Sequence, residues 1–138
     1  MRKGGCQCGQ VRFEFSAEPI NQVFCYCTDC QSRTGSDHWF GIWVPSDDFK
    51  YVGVLSPSVY TTKDDSGGDI NCYTCPDCGV SLSVEFTSGG FHTVGAGHIE
   101  GNDEFKPKLA IFAASAPSWA ILPTDIPVFD RMPPQMGG

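Results

Sequence analysis

Apolar and polar positions alternate along several short stretches of the chain, with the two-residue period of a half-buried β-strand. Val11-Arg12-Phe13-Glu14-Phe15 follows a turn residue, Gly9, and residues 80–86 form the longest clean alternating run. Residues 40–44, 49–55, 59–62, 70–74, 91–96 and 109–113 read as further strands. Polar turns separate them, at Pro45-Ser46-Asp47-Asp48 and Ser88-Gly89-Gly90. Asp64-Asp65-Ser66-Gly67-Gly68-Asp69 reads as the flexible tip of a hairpin. Helix signals are weak. One helical turn is expected over 28–34, capped by Thr28 or Asp29 and stopped at Gly35. The tail from Pro117 carries four more prolines. It is expected to wrap over the body and to fray over 131–138. The pattern predicts a mostly β, single domain over 1–138, with its core at about 4–130, twisted antiparallel sheets and little helix.

Composition supports this reading. The chain has 138 residues, 41% of them hydrophobic, with 16 Gly and 10 Pro. That favours short strands and loops around one modest core, a size class that gains from staples. A net charge of −7 and a pI of about 4.7, with no run of Lys or Arg, argue against a nucleic-acid partner. No stretch approaches the roughly 20 apolar residues of a membrane span. Met1-Arg2-Lys3-Gly4-Gly5 leads into a cysteine with no apolar leader segment. The sequence therefore reads as a soluble, cytoplasmic protein, whose eight cysteines are metal ligands or reactive thiols rather than disulfides.

Those cysteines fall in three groups: Cys6 and Cys8; Cys25, Cys27 and Cys30; Cys72, Cys75 and Cys78. Cys75-Pro76-Asp77-Cys78-Gly79 has the form of a zinc knuckle, and Cys6-Gln7-Cys8-Gly9 is workable on a tight turn. Together Cys6, Cys8, Cys75 and Cys78 make one closed site of four thiolates, a staple without chemistry. Cys25, Cys27 and Cys30 supply three ligands and leave a fourth position free, the pattern of a catalytic zinc. Cys72 is a candidate fourth ligand that would close this second site. A redox pair, as in Cys27-Thr28-Asp29-Cys30, lacks a surrounding βαβ pattern, and the spacing matches neither ferredoxin arrangement.

The motifs Gly4-Gly5-Cys6-Gln7-Cys8-Gly9-Gln10-Val11-Arg12, Cys25-Tyr26-Cys27-Thr28-Asp29-Cys30 and Cys75-Pro76-Asp77-Cys78-Gly79, in this order, resemble the glutathione-dependent formaldehyde-activating enzyme family. This is also called the centromere protein V/Gfa domain. Arg33-Thr34-Gly35-Ser36, Gly95-Ala96-Gly97 and Ala116-Pro117-Ser118-Trp119 extend the likeness over about residues 4–130. The resemblance implies a zinc-stapled fold of twisted sheets (the β-tent). It implies two zinc ions: a structural one on Cys6, Cys8, Cys75 and Cys78, and a catalytic, more labile one on Cys25, Cys27 and Cys30. The implied activity is that of a carbon–sulfur lyase on a thiol–aldehyde adduct such as S-hydroxymethylglutathione, with a small thiol such as glutathione as partner. Many members carry His-Ile-aromatic late in the chain. Here Ala110-Ile111-Phe112 stands there, so any role of that histidine is absent. The competing readings are a zinc-stabilised binding module without turnover and a thiol or metal sensor.

Arg33, beside Cys30, is the cation best placed to hold a substrate anion, and Lys63 reads as surface charge. His38 follows Cys30 closely enough to face the second site. His92 and His98 read as hydrogen-bonded histidines, and Trp39, Trp43 and Trp119 as core or pocket wall.

Overall fold

The computed structural model describes residues 1–133. Ten strands are formed: β1 (Arg2–Gly5), β2 (Arg12–Phe15), β3 (Asn21–Cys25), β4 (Trp39–Pro45), β5 (Lys50–Tyr51), β6 (Ser58–Lys63), β7 (Asp69–Thr74), β8 (Ser81–Phe86), β9 (Phe91–Gly95) and β10 (Leu109–Ile111). The α-helix, α1, spans Thr28–Thr34. Strands β1-β2-β5 make a small sheet, and β10-β3-β4-β9-β8-β7-β6 make a large one. The fold is mostly β, as the alternation predicts.

The core lies between the two sheets. Val11, Phe13 and Phe15 point from the small sheet toward Ile42, Val44, Leu82 and Val94 of the large one. Phe49 closes the layer with its ring 5.2 Å from Phe13 and 6.2 Å from Phe15. On the other face of the large sheet, residues brought level by the strand register form cross-strand rows. Phe91, Phe86, Ile70 and Thr62 make one row; Trp43, Thr93, Val84, Cys72 and Tyr60 make the next. This second face carries the cleft described below.

Several boundaries differ from the pattern. β1 and β3 carry too little alternation to announce themselves. They form because β1 pairs with β2, and β3 fills the space between β4 and β10. The strand expected over 49–55 shrinks to Lys50–Tyr51. At Gly53 the chain presses against β2, where a Cβ would lie 2.6 Å from the Gln10 carbonyl, and Val54 turns out to solvent. The expected strand 109–113 ends at Ile111, because Phe112 takes a left-handed φ of 56° and opens a 3-10 turn. The sheets are antiparallel except for β10, which runs parallel to β3.

The acidic tip is ordered by Asp64, whose carboxylate accepts from the amides of Ser66 and Gly68 and from the hydroxyls of Ser66 and Ser88. The tail does wrap. Residues around Val128 bridge to Ala110, Met132 packs beside Val23 and Ile111, and Pro133 is buried. The fraying expected from residue 131 therefore does not reach Met132 or Pro133, and residues 134–138 lie outside the described part. Among the described residues no helix is long and apolar enough to cross a membrane.

Candidate metal centres and an adjoining cleft

Two loops build the first sulfur group in the same way. The Cys6 amide donates to the Val11 carbonyl at 3.1 Å, and the Cys75 amide to the Val80 carbonyl at 2.9 Å. Each loop then turns through a left-handed glycine, Gly9 at φ 81° and Gly79 at φ 79°. A side chain at either position would strain the turn. Backbone amides face the sulfurs, Val11 N–H to Cys6 Sγ at 3.4 Å and Cys78 N–H to Cys75 Sγ at 3.4 Å. Gln10 ties the loops together by donating to Asp77 at 3.1 Å.

The four sulfurs of Cys6, Cys8, Cys75 and Cys78 lie within 4.8 Å of one another. Cys6 and Cys8 are 3.5 Å apart, and Cys8 and Cys75 are 3.8 Å apart. Four sulfurs around a tetrahedral zinc stand roughly 3.8 Å apart, given a Zn–S distance of about 2.3 Å. The donor set and its spacing thus fit zinc. Amide donors from Cys8 and Val80 pull the Cys78 thiol down to about 6, which favours the thiolate a metal needs. Cys6 and Cys75 are buried in the core, so this group is part of the packing.

The second group hangs from the end of β3 and the start of α1. The sulfurs of Cys25, Cys27 and Cys30 lie within 4.8 Å of one another. The helix cap is Cys27, not Thr28 or Asp29: its sulfur accepts the Cys30 amide at 3.3 Å. Thr28 and Asp29 fall inside the helix because the cysteine sulfur takes the capping role. Gly35 stops the helix, as expected. The segment is fixed from outside: the Tyr26 amide donates to the Ile111 carbonyl, and its hydroxyl to the Ile121 carbonyl at 3.2 Å. Gln31 bridges the Tyr26 and Ser115 carbonyls.

The three thiols share their protons unequally. Cys27 is pulled down to about 3, first by Cys25, then by Cys30, with the Cys30 amide and the Arg33 charge adding. Cys25 is pushed up to about 12 by Cys27, and Cys30 is pushed up by Cys25 and Cys27. Of the three, Cys27 is the thiol whose ionised form its surroundings favour. Cys27 and Cys30 stand 3.0 Å apart. Three converging sulfurs form a donor set that suits a thiophilic ion such as zinc.

Cys72 lies outside this group. It stands on β7, and Arg33 comes between: Nη1 is 3.7 Å from Cys30 Sγ and Nη2 is 3.9 Å from Cys72 Sγ. The guanidinium lies over the Trp39 ring at 5.6 Å. Cys72, the candidate fourth ligand, thus borders the three converging sulfurs without being one of them.

Beside these residues opens a cleft of about 890 Å³, bordered by the three sulfurs, Arg33, Trp39 and Cys72. Trp43 lines it too, whereas Trp119 is 64% exposed, carried outward by the turn in which the Ala120 amide donates to the Pro117 carbonyl. His38 does not border the cleft; it pairs with Asp37 and packs between Phe24 and Tyr26. His98 bonds the Ser81 carbonyl at 2.7 Å. His92 meets Ser83 and Glu85 inside the core. Lys63 pairs with Asp69 at the surface. Sequence reasoning missed Phe86, Phe91, Phe112 and Met132 of the cleft wall, because only strand register and the returning tail bring them together.

Fold and site together define a cysteine-rich β-domain with two sulfur groups able to hold metal, one in the core and one at the mouth of a cleft. The family model described as glutathione-dependent formaldehyde-activating enzyme matches residues 1–115, and the chain belongs to that family. No curated protein matches the sequence. A crystal structure of a Rhodobacter sphaeroides protein is similar, with a TM-score of 0.58 at 20% identity, covering 72% of this chain and 88% of that one. At that identity the likeness concerns the fold alone.

Proposed function

We propose that the protein is a zinc-dependent carbon–sulfur lyase-type enzyme that forms or cleaves a thiol–aldehyde adduct, of which S-hydroxymethylglutathione is the family's example. The observation that carries this reading is the three-sulfur group open to a cleft, with Arg33 at its side and Cys72 held apart. Cys25, Cys27 and Cys30 would hold the ion of the second group. Cys6, Cys8, Cys75 and Cys78 would hold a structural one. Zinc bound at the cleft supplies Lewis acidity that keeps a substrate thiol ionised at neutral pH.

The chain's own residues provide the rest. Arg33 presents a planar, permanently charged fork whose remaining N–H groups can hold a substrate carboxylate or the oxygen that becomes negative as sulfur adds to the carbonyl. The Trp39 ring lies beneath that fork. The apolar sides of the cleft exclude water and so strengthen these contacts. The test is adduct formation from formaldehyde and glutathione by wild type and Cys27→Ala, with the fold of each checked by circular dichroism. The reading requires loss of turnover in a folded variant; full activity of Cys27→Ala would overturn it.

A further inference from the structure

The wall of the cleft beyond the sulfur group is aromatic and aliphatic. Phe91, Phe86 and Ile70 stand opposite one another on β9, β8 and β7, with Trp43 beside Phe91. Trp43 stacks on Phe91 with centroids 4.5 Å apart and planes at 23°, and Phe86 stacks on Phe91 at 5.4 Å and 26°. Phe112 and Met132 also line the cleft. This row of near-parallel rings offers a surface for one more planar ring. A volume of about 890 Å³ lies toward the upper end of pockets that enclose drug-sized ligands, roughly 300–1,000 Å³. The one-carbon unit of formaldehyde has nothing to lay against such a wall.

Charge points the same way. Among the described residues bordering the cleft, Arg33 is the one cation, and Asp29 and Asp64 are the anions. A ligand with one carboxylate beside its sulfur and an apolar remainder matches this distribution.

We infer that the cleft takes a thiol adduct whose sulfur-bearing carbon carries a large, planar apolar substituent, as in the adduct of a thiol with an aromatic aldehyde. The inference rests on the thiol–aldehyde reading above and specifies its substrate class. The chemistry balances without a co-reactant. The C–S bond forms as the C=O π pair moves onto oxygen, and the proton lost by sulfur is the proton gained by oxygen. Cleavage reverses each step, with no change of oxidation state.

The experiment titrates the zinc-loaded protein with two unreactive thioethers, S-benzyl- and S-methyl-N-acetylcysteine, followed by tryptophan fluorescence. The benzyl probe should bind at least tenfold more tightly. Phe86→Ala, and independently Met132→Ala in case the first fails to fold, should remove most of that preference. Equal affinities, absence of binding by either probe, or a dimer in solution that buries this face would each overturn the inference. The formaldehyde and glutathione assay fails separately. Without turnover there but with the benzyl preference intact, the formaldehyde chemistry falls and the apolar cleft stands. With turnover but no preference, the substrate class proposed here falls alone.

Discussion

Arg33 holds one guanidinium nitrogen 3.9 Å from the sulfur of Cys72, across the cleft from the helix that carries it. The contact keeps a fourth thiol close to the second sulfur group without admitting it. Metal content should follow. Wild type and Cys72→Ser are each expected to hold two zinc ions per chain, and Cys30→Ser one. Native mass spectrometry reads the difference, and loss of an ion in Cys72→Ser would refute the separation described here.

The first group should govern stability instead. Cys75 is 1% exposed and packed in the main core. Cys75→Ser leaves a polar atom and an incomplete ligand set there. A loss of about 3 kcal/mol or more is expected, because binding energy at a structural zinc is folding energy. Urea unfolding of the variant, and of wild type after chelation, measures it. A midpoint equal to that of untreated wild type would contradict the role.

Gly41 has a steric reason to be glycine. A Cβ there would sit 1.9 Å from Thr93 Oγ1, the atom that accepts the Trp39 indole N–H at 3.1 Å. Gly41→Ala should cost about 1–3 kcal/mol through overpacking. It should also shift the tryptophan emission, because Trp39 loses its partner. Unchanged thermal stability and emission would show that the sheet yields at no cost.

A pH dependence should come from His92. Burial holds its imidazole down to about 4, against roughly 6.5 in an unfolded chain. Between these values the unfolded chain binds a proton that the folded one does not. The contribution is thus complete above about pH 6.5 and falls away as the pH drops toward 4, by on the order of 3 kcal/mol. Glu85, half-buried, is kept below the ordinary carboxylate range by the Asn71 donor, the neighbouring His92 and the Tyr73 donor, and acts in the same direction. Subtracting the stability–pH curve of His92→Gln from that of wild type cancels effects of metal loss. A flat difference curve between pH 4 and 6.5 would rule out His92 as the source.

The alternating strand around Phe13 and Phe15 was legible in the sequence because both satisfy a local rule at a buried position, whereas a bulge in the β7–β8 pairing turns Leu82 and Val84 to opposite faces, which alternation does not show. The grouping of Cys6 and Cys8 with Cys75 and Cys78 was legible too, since ligand chemistry narrows the pairings. What stayed hidden depends on distant partners. β3 has little pattern of its own, and β10 reaches it only across most of the chain. That Cys72 stands beside the three sulfurs and within reach of Arg33 depends on where β7 lies next to α1, which spacing does not encode. The aromatic wall of the cleft exists only in the register of β7, β8 and β9.

The parallel pairing of β10 with β3 also ties the second sulfur group to the far end of the chain. The first sulfur group takes its ligands and loop hydrogen bonds from residues 6–80, and its packing from Val94, Ile99 and Phe105 further on. The second group is complete in sequence by Cys30, yet its loop is pinned by carbonyls at Ile111, Ser115 and Ile121. The two groups therefore draw their support from different stretches of the chain. A chain lacking that last segment would carry those three sulfurs on a loop without its braces.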